Sequence, residues 1–286
     1  MTAFTIARMT LKEASRRRLL FALLVLTVVV IALTAWGFQK LTTITESNGQ
    51  PLPTSEMRTI ASQLLILVMF MFSGVLALSS VFVASPSISG EVESGVALAI
   101  VARPIRRADV VLGKWLGLAT LIVIYTVGAV VLELVLVFIA TGYSPPHPIQ
   151  LVAYLIGEGL VLMTFALLLS TRMSGMTAGI VAAILFFMAW MGGITGGIGA
   201  AFNNDTIEHV GTVSRLLLPT DGLWRGAVFA MEPAAMLAIA RAGARQMSGN
   251  PFFAAEAPAA LYIAWVVAWI GAVLAGTVWS FTRREI

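Results

Sequence analysis

The chain has 286 residues, 59% hydrophobic and only 11% charged, with a mean hydropathy of +0.94. Soluble domains carry roughly 25% charged residues, so an ordinary soluble enzyme and a disordered regulator are excluded. The absence of cysteine also removes a disulfide framework, a thiol nucleophile and a cysteine metal site. What is left is an all-α protein that crosses a membrane several times.

In chain order, residues 1–18 are polar and basic. Phe4, Ala7, Leu11 and Ala14 recur at helical spacing beside Arg8, Lys12 and Arg16, which predicts a short amphipathic helix on the inner membrane surface. The alternative is a tail that only sets orientation. The basic run Arg16–Arg18 before an apolar stretch suits a signal peptide, but the stretch exceeds a 7–15-residue apolar region and no small-residue cleavage site follows.

Residues 19–286 form the membrane domain. A membrane helix needs about 20 mostly apolar residues, and six segments qualify: Leu19–Gly37, Ile60–Ala84, Trp115–Ala140, Leu151–Leu169, Thr177–Gly199 and Ala259–Phe281. With the N-terminus in the cytoplasm, the inner segments hold twelve Lys and Arg residues and the outer ones six. This bias predicts cytoplasmic termini and makes the net charge of +4 a topology signal rather than a nucleic-acid footprint. Two connections are long, the inner 85–114 and the outer 200–258, and long loops are where function concentrates. In the outer loop, Thr220-Asp221 can cap a helix over 222–231. Glu232-Pro233 can open a second that ends near Gly249-Asn250-Pro251. Both are too short to span and apolar enough to sit in or against the outer leaflet.

Catalytic constellations are absent. The two histidines, His147 and His209, lie in separate outer segments, and neither H-E-x-x-H nor a G-x-x-x-x-G-K-[ST] phosphate loop occurs. The glycine cluster 192–199 supplies small-xxx-small pairs, among them Gly193 and Gly197, which let helices approach closely or hinge. Glu133 and Glu158 are the only charges inside spans. A carboxylate there is costly and is a functional candidate by default. Antiparallel neighbouring spans would set the two at similar depth, where they would line a pathway, share a proton as a coupled pair or bond neighbouring helices.

The inner loop carries the strongest pattern: Gly90-Glu91-Val92-Glu93-Ser94-Gly95, then Leu98, then Arg103-Pro104-Ile105-Arg106-Arg107, then Gly113-Lys114. It reads as a short helix over about 91–101 with acids at its positive start, a break at Pro104 and a basic return to the membrane. An apolar face of Val96 and Ile100 is left for docking to another protein.

Glu91-x-Glu93-x-Gly95, the Arg103–Arg107 run and Gly113-Lys114 resemble the permease subunits of type-2 ABC exporters. Pro219-x-Asp221-x-x-Trp224-Arg225 is similar to a second element of that family. The resemblance extends to six spans, cytoplasmic termini and outer helices between spans five and six, most nearly in the subgroup named for copper-enzyme (nitrous oxide reductase) maturation. It implies two permease copies around one pathway in the cell membrane, and separate ATPase subunits that carry the ATP and Mg sites. It also implies a coupling helix around Glu91–Val101, with Gly90, Glu91, Glu93, Gly95, Leu98, Arg103, Pro104 and Arg107 as coupling residues. Pro219, Asp221 and Arg225 would form the outer-helix element. The lipid bilayer and the ATPase are the implied partners; no metal site and no nucleic acid are expected. Two other classes stay open: a proton-coupled carrier using Glu133 and Glu158, and a membrane anchor or sensor that transports nothing.

Overall fold

The computed structural model describes residues 3–15, 18–41, 43, 53–95 and 106–284. Among the described residues the secondary structure is helical, with six segments long and apolar enough to cross a membrane, matching the six spans expected. No β-strand occurs among them.

Helix α1 (Ala3–Ala14) lies across the start of α5 (Arg107–Thr141). The approach is close because α5 offers glycine there. A Cβ on Gly113 would fall 2.6 Å from the Ile6 Cβ, and one on Gly117 2.6 Å from the Ala7 carbonyl oxygen. The expected apolar stripe of α1 is therefore divided. Ala7, Thr10 and Ala14 are buried, whereas Phe4 and Met9 stay exposed, as an interfacial helix presents to lipid.

Span α2 (Arg18–Leu41) is thinly covered, with Phe21, Val28, Leu33 and Trp36 largely exposed. Span α3 (Thr54–Ala84) bends at Ser85 and continues as α4 (Pro86–Glu93). Pro86 imposes the break, since it has no N–H to give and its ring crowds the preceding turn. Glu91 and Glu93 fall in the last turn of α4, while most of the helix expected over about 91–101 lies outside the described residues. The expected favourable dipole contact is lost there, and a lysine supplies the missing positive charge, as described below. Residues 96–105, which carry Val96, Leu98, Ile100, Arg103 and Pro104, lie outside the described residues.

Span α6 (Pro148–Ser170) is the hub. Leu151, Leu155, Val161, Leu162, Met163, Ala166 and Leu167 are fully buried, and it packs on α3, α5, α7 (Gly175–Ala201) and α12 (Ala260–Thr282). Gly142, with φ 68°, lets the chain leave α5 in the left-handed conformation that ends many helices.

After α7 the chain doubles back as α8 (Asp205–Leu217), a helix absent from the sequence-based expectation. Its signals are present: Asn204 Oδ1 accepts from the Ile207 N–H at 3.2 Å, acids Asp205 and Glu208 sit in the first turn and Arg215 in the last, the order a helix dipole favours. The glycines of α7 make the fold-back close, since a Cβ on Gly196 would strike the Gly211 backbone. Helix α9 (Asp221–Met231) is buried against α6, α3 and α7. The expected single helix after Pro233 is two pieces, α10 (Ala234–Ala242) and α11 (Ala244–Met247), divided at Gly243.

Candidate functional site

Three constellations concentrate polar groups in this apolar chain. The first joins α4 to α5 at the basic end of the bundle. Lys114 is buried, yet its Nζ donates to the Ser87 carbonyl at 2.5 Å and meets Glu91 Oε1 at 2.6 Å. Burying an ammonium is affordable only when it is paired and hydrogen-bonded, and both conditions hold. Pro86 and Ser89 of α4 rest on the start of α7, where a Cβ on Gly175 would come within 3.0 Å of each. Glu93 is exposed, as are Ser94 and Gly95, the latter with φ 73°. Gly90 faces nothing closer than the Pro86 Cβ at 4.0 Å. Arg107 turns elsewhere: its Nη1 donates to the carbonyls of Phe281, Thr282 and Arg284 at 3.3, 3.1 and 2.7 Å, capping the end of α12.

The second constellation is the pair of carboxylates within the spans. Glu133 accepts from the Thr34 hydroxyl at 3.0 Å and lines a narrow cleft of about 40 Å³ between α2, α3 and α5. Glu158 accepts from the Ser73 hydroxyl at 2.8 Å and lines a larger cleft of about 280 Å³ between α3, α6, α7 and α9. Met71 and Val75 of α3 border both clefts and so stand between them. This corrects the shared-proton expectation: similar depth does not make neighbours, because α3 is interposed. Each acid has its own hydroxyl donor instead.

The third is at the far end, centred on Asp221, which is 1% exposed. Its Oδ2 takes Arg215 Nε at 2.7 Å and Arg225 Nε at 3.1 Å. Arg225 Nη1 continues to the Ser248 carbonyl at 3.0 Å, and Ser248 Oγ donates to the Gly197 carbonyl at 2.7 Å. Arg215 Nη2 reaches the Gly193 carbonyl at 3.4 Å. Gly193 and Gly197 are therefore places where the cap touches the backbone of α7: a Cβ on Gly193 would strike the Asp221 carboxylate, and one on Gly197 the Ser248–Gly249 backbone. Trp224 Nε1 donates to the Pro251 carbonyl at 2.7 Å. Nearby, the Tyr143 hydroxyl donates to the Met231 carbonyl. Burial pushes Glu232 up to about 7, the Ala254 backbone offsetting part of the rise. Burial, with the Glu232 charge adding to it, raises Tyr143.

Six spans, a short helix at the basic end and a helical cap at the far end are the frame into which the comparison fits. The family model described as ABC-2 family transporter protein matches residues 4–286. The chain belongs to the ABC-2 transporter family. No curated protein matches it. It is therefore a multi-pass ABC permease.

In this ABC-2 permease the sequence motifs separate into different places. Glu91, Glu93 and Gly95 end α4; Arg107 opens α5 and serves α12; Asp221 and Arg225 form the far-end node with Trp224. Pro219 sits in the turn between α8 and α9. Lys114, Arg215, Ser73 and Thr34 are the partners sequence reasoning did not assign. Lys114 carried a signal, a lysine one residue before an apolar span. Arg215, Ser73 and Thr34 carried none, because their roles depend on helices brought together by the fold.

Proposed function

We propose that this permease is the transmembrane subunit of an ATP-driven exporter in the cell membrane, with both termini cytoplasmic. Two copies enclose the pathway, and separate ATPase subunits, with their ATP and Mg, dock at the basic end. The subgroup likeness to copper-enzyme maturation permeases belongs to this reading and fixes no substrate.

The observation that supports this reading most is the junction of α4 with the spans. Helix α4 is too short to fold alone, yet it continues α3, is ion-paired to α5 through Lys114–Glu91, and rests on α7 at Gly175. A push on α4 would therefore be shared by the end of α3 and the starts of α5 and α7, which is what a coupling element must do. Glu93, exposed at its end, is the acid free to meet a partner. The apolar flank of α2, with Phe21, Val28 and Trp36 exposed, is where lipid or the second copy would lie.

The test is affinity purification of the full chain from native membranes with mass spectrometry of what accompanies it. An ATPase subunit is expected with the natural chain and with Glu256→Arg at the far end, and lost with Glu93→Arg. Recovery of no ATPase from membranes that yield other intact ABC complexes refutes the exporter reading.

A further inference from the structure

The cleft beside Glu158 has a composition that the transport frame does not require. Its walls include Phe186, Phe187, Trp190 and Trp224. Phe70, also on the wall, ties the rings together, with its centroid 5.6 Å from Trp190 and 5.4 Å from Trp224. The charged residues that line it are Glu158 and Asp221, both acidic, and no basic residue lines it among the described residues. Glu158 is 2% exposed and Asp221 1%.

Asp221 lines the cleft and is ion-paired to two arginines that line a second cavity, where Glu208 and Glu256 also stand. Its Oδ2 is held by Arg215 and Arg225, and both arginines line the neighbouring far-end cavity of about 580 Å³ together with Arg241. Its Oδ1 has no hydrogen-bond partner, nor have the Thr220 hydroxyl and the Trp190 indole N–H, and all three residues line the Glu158 cleft. Buried polar groups are normally satisfied; of these three, the Asp221 Oδ1 is the acceptor that a cationic occupant would suit. Glu158 has one protein donor, the neutral Ser73 hydroxyl, so a cation in the cleft would be its counter-charge.

A carboxylate set among aromatic faces selects a weakly hydrated cation with an apolar body. Aromatic rings attract ammonium groups through their faces, and desolvation strengthens the attraction to a carboxylate. Calcium or magnesium would demand about six oxygen ligands, which this aromatic cleft does not offer. The volume of about 280 Å³ falls just below the roughly 300–1,000 Å³ of drug-sized pockets, which favours a small ligand. We propose that this cleft binds a small amphipathic organic ammonium ion, with Glu158 as the counter-charge and Trp190 and Phe187 as the aromatic faces. As an assignment of cargo class it rests on the exporter reading; as a binding site it does not.

The test uses the purified full chain in lipid nanodiscs and benzyltrimethylammonium as probe, titrated by calorimetry. Saturable binding is expected, weakened at least about tenfold in Glu158→Gln, which removes the charge and keeps the volume. Trp190→Leu should weaken it about threefold. Excess benzenesulfonate, of similar size and opposite charge, should not displace the probe. Equal affinity in a folded Glu158→Gln protein, or displacement by benzenesulfonate, overturns the proposal. If Glu158→Gln does not fold, Trp190→Leu and Phe187→Leu decide, and unchanged affinity in both overturns it. Ammonium binding without a co-purifying ATPase would leave the site standing and remove the exporter reading. An ATPase partner without ammonium binding would do the reverse.

Discussion

Breaking the Lys114–Glu91 pair from its two sides should give unequal costs. At 2.6 Å the gross Coulomb attraction is about 6 kcal/mol at an effective dielectric of 20, most of it offset by desolvation. Removing one partner of a buried pair costs about 3–5 kcal/mol because the other charge is stranded. The two sides differ in how far they are stranded. The side-chain exposures are 5% for Lys114 and 27% for Glu91. Glu91→Gln leaves a buried ammonium with only neutral acceptors, at about 3 kcal/mol. Lys114→Met leaves a carboxylate that water reaches and replaces the aliphatic stem with one of similar volume, at about 1 kcal/mol. The Ser87 carbonyl keeps its place in the helical bonding of α4. The double variant should match Lys114→Met rather than the sum. Thermal unfolding in detergent, followed by intrinsic fluorescence, gives the order: natural chain highest, Lys114→Met and the double variant next, Glu91→Gln lowest. A Lys114→Met protein less stable than Glu91→Gln, or additive single effects, would refute the view that Glu91 exists to neutralise Lys114.

Three further outcomes are expected. Gly117→Leu should lift α1 from α5, since even a Cβ there meets the Ala7 carbonyl oxygen at 2.6 Å; amide exchange over residues 3–14 should quicken at least about tenfold with residues 148–170 unchanged, by hydrogen-exchange mass spectrometry. Asp221→Asn should destabilise by about 3 kcal/mol, because Arg215 and Arg225 lose their shared anion, with part of the loss recovered in thermal unfolding when Arg215→Gln is added. Glu232 titrates about 7 in the fold against an ordinary 4.5, so the fold favours its neutral form. That contribution is full below about pH 4.5 and is lost as pH rises through 7. Glu232→Gln should therefore match the natural chain near pH 4.5 and exceed it at pH 8, by up to about 3 kcal/mol in denaturant titration.

The six spans were legible because each is a long apolar run, and a chain in lipid must satisfy its backbone within helices. Helix α8 was not, because Asp205, Glu208 and His209 make it too polar to resemble its neighbours, and its place depends on the glycine face of α7. Helix α4 was not foreseen, because Glu91 and Glu93 read as helix-starting acids whereas they end a helix that Pro86 begins. Glu133 and Glu158 stood out at once as charges in lipid. Their separation by α3 is a property of three-dimensional packing that no spacing along the chain encodes. The Asp221 node was half visible: Arg225 lies one helical turn away, but Arg215 comes from another helix.

The bonds from Arg107 to the carbonyls at the end of α12 bear on how the protein is made. Arg107 opens the third span, and its acceptors, at Phe281, Thr282 and Arg284, lie at the end of the sixth. The loop after α6 is tied to the same place, where Arg172 Nε reaches the Ser280 hydroxyl at 3.0 Å and the Thr171 carbonyl receives Arg284 Nη1 at 2.6 Å. A nascent chain with five spans inserted still lacks the partners of two arginines at its basic end. The sixth span thus closes the basic end of the bundle: until α12 packs, Arg107 and Arg172 lack their acceptors and the flank of α6 that it covers stays open.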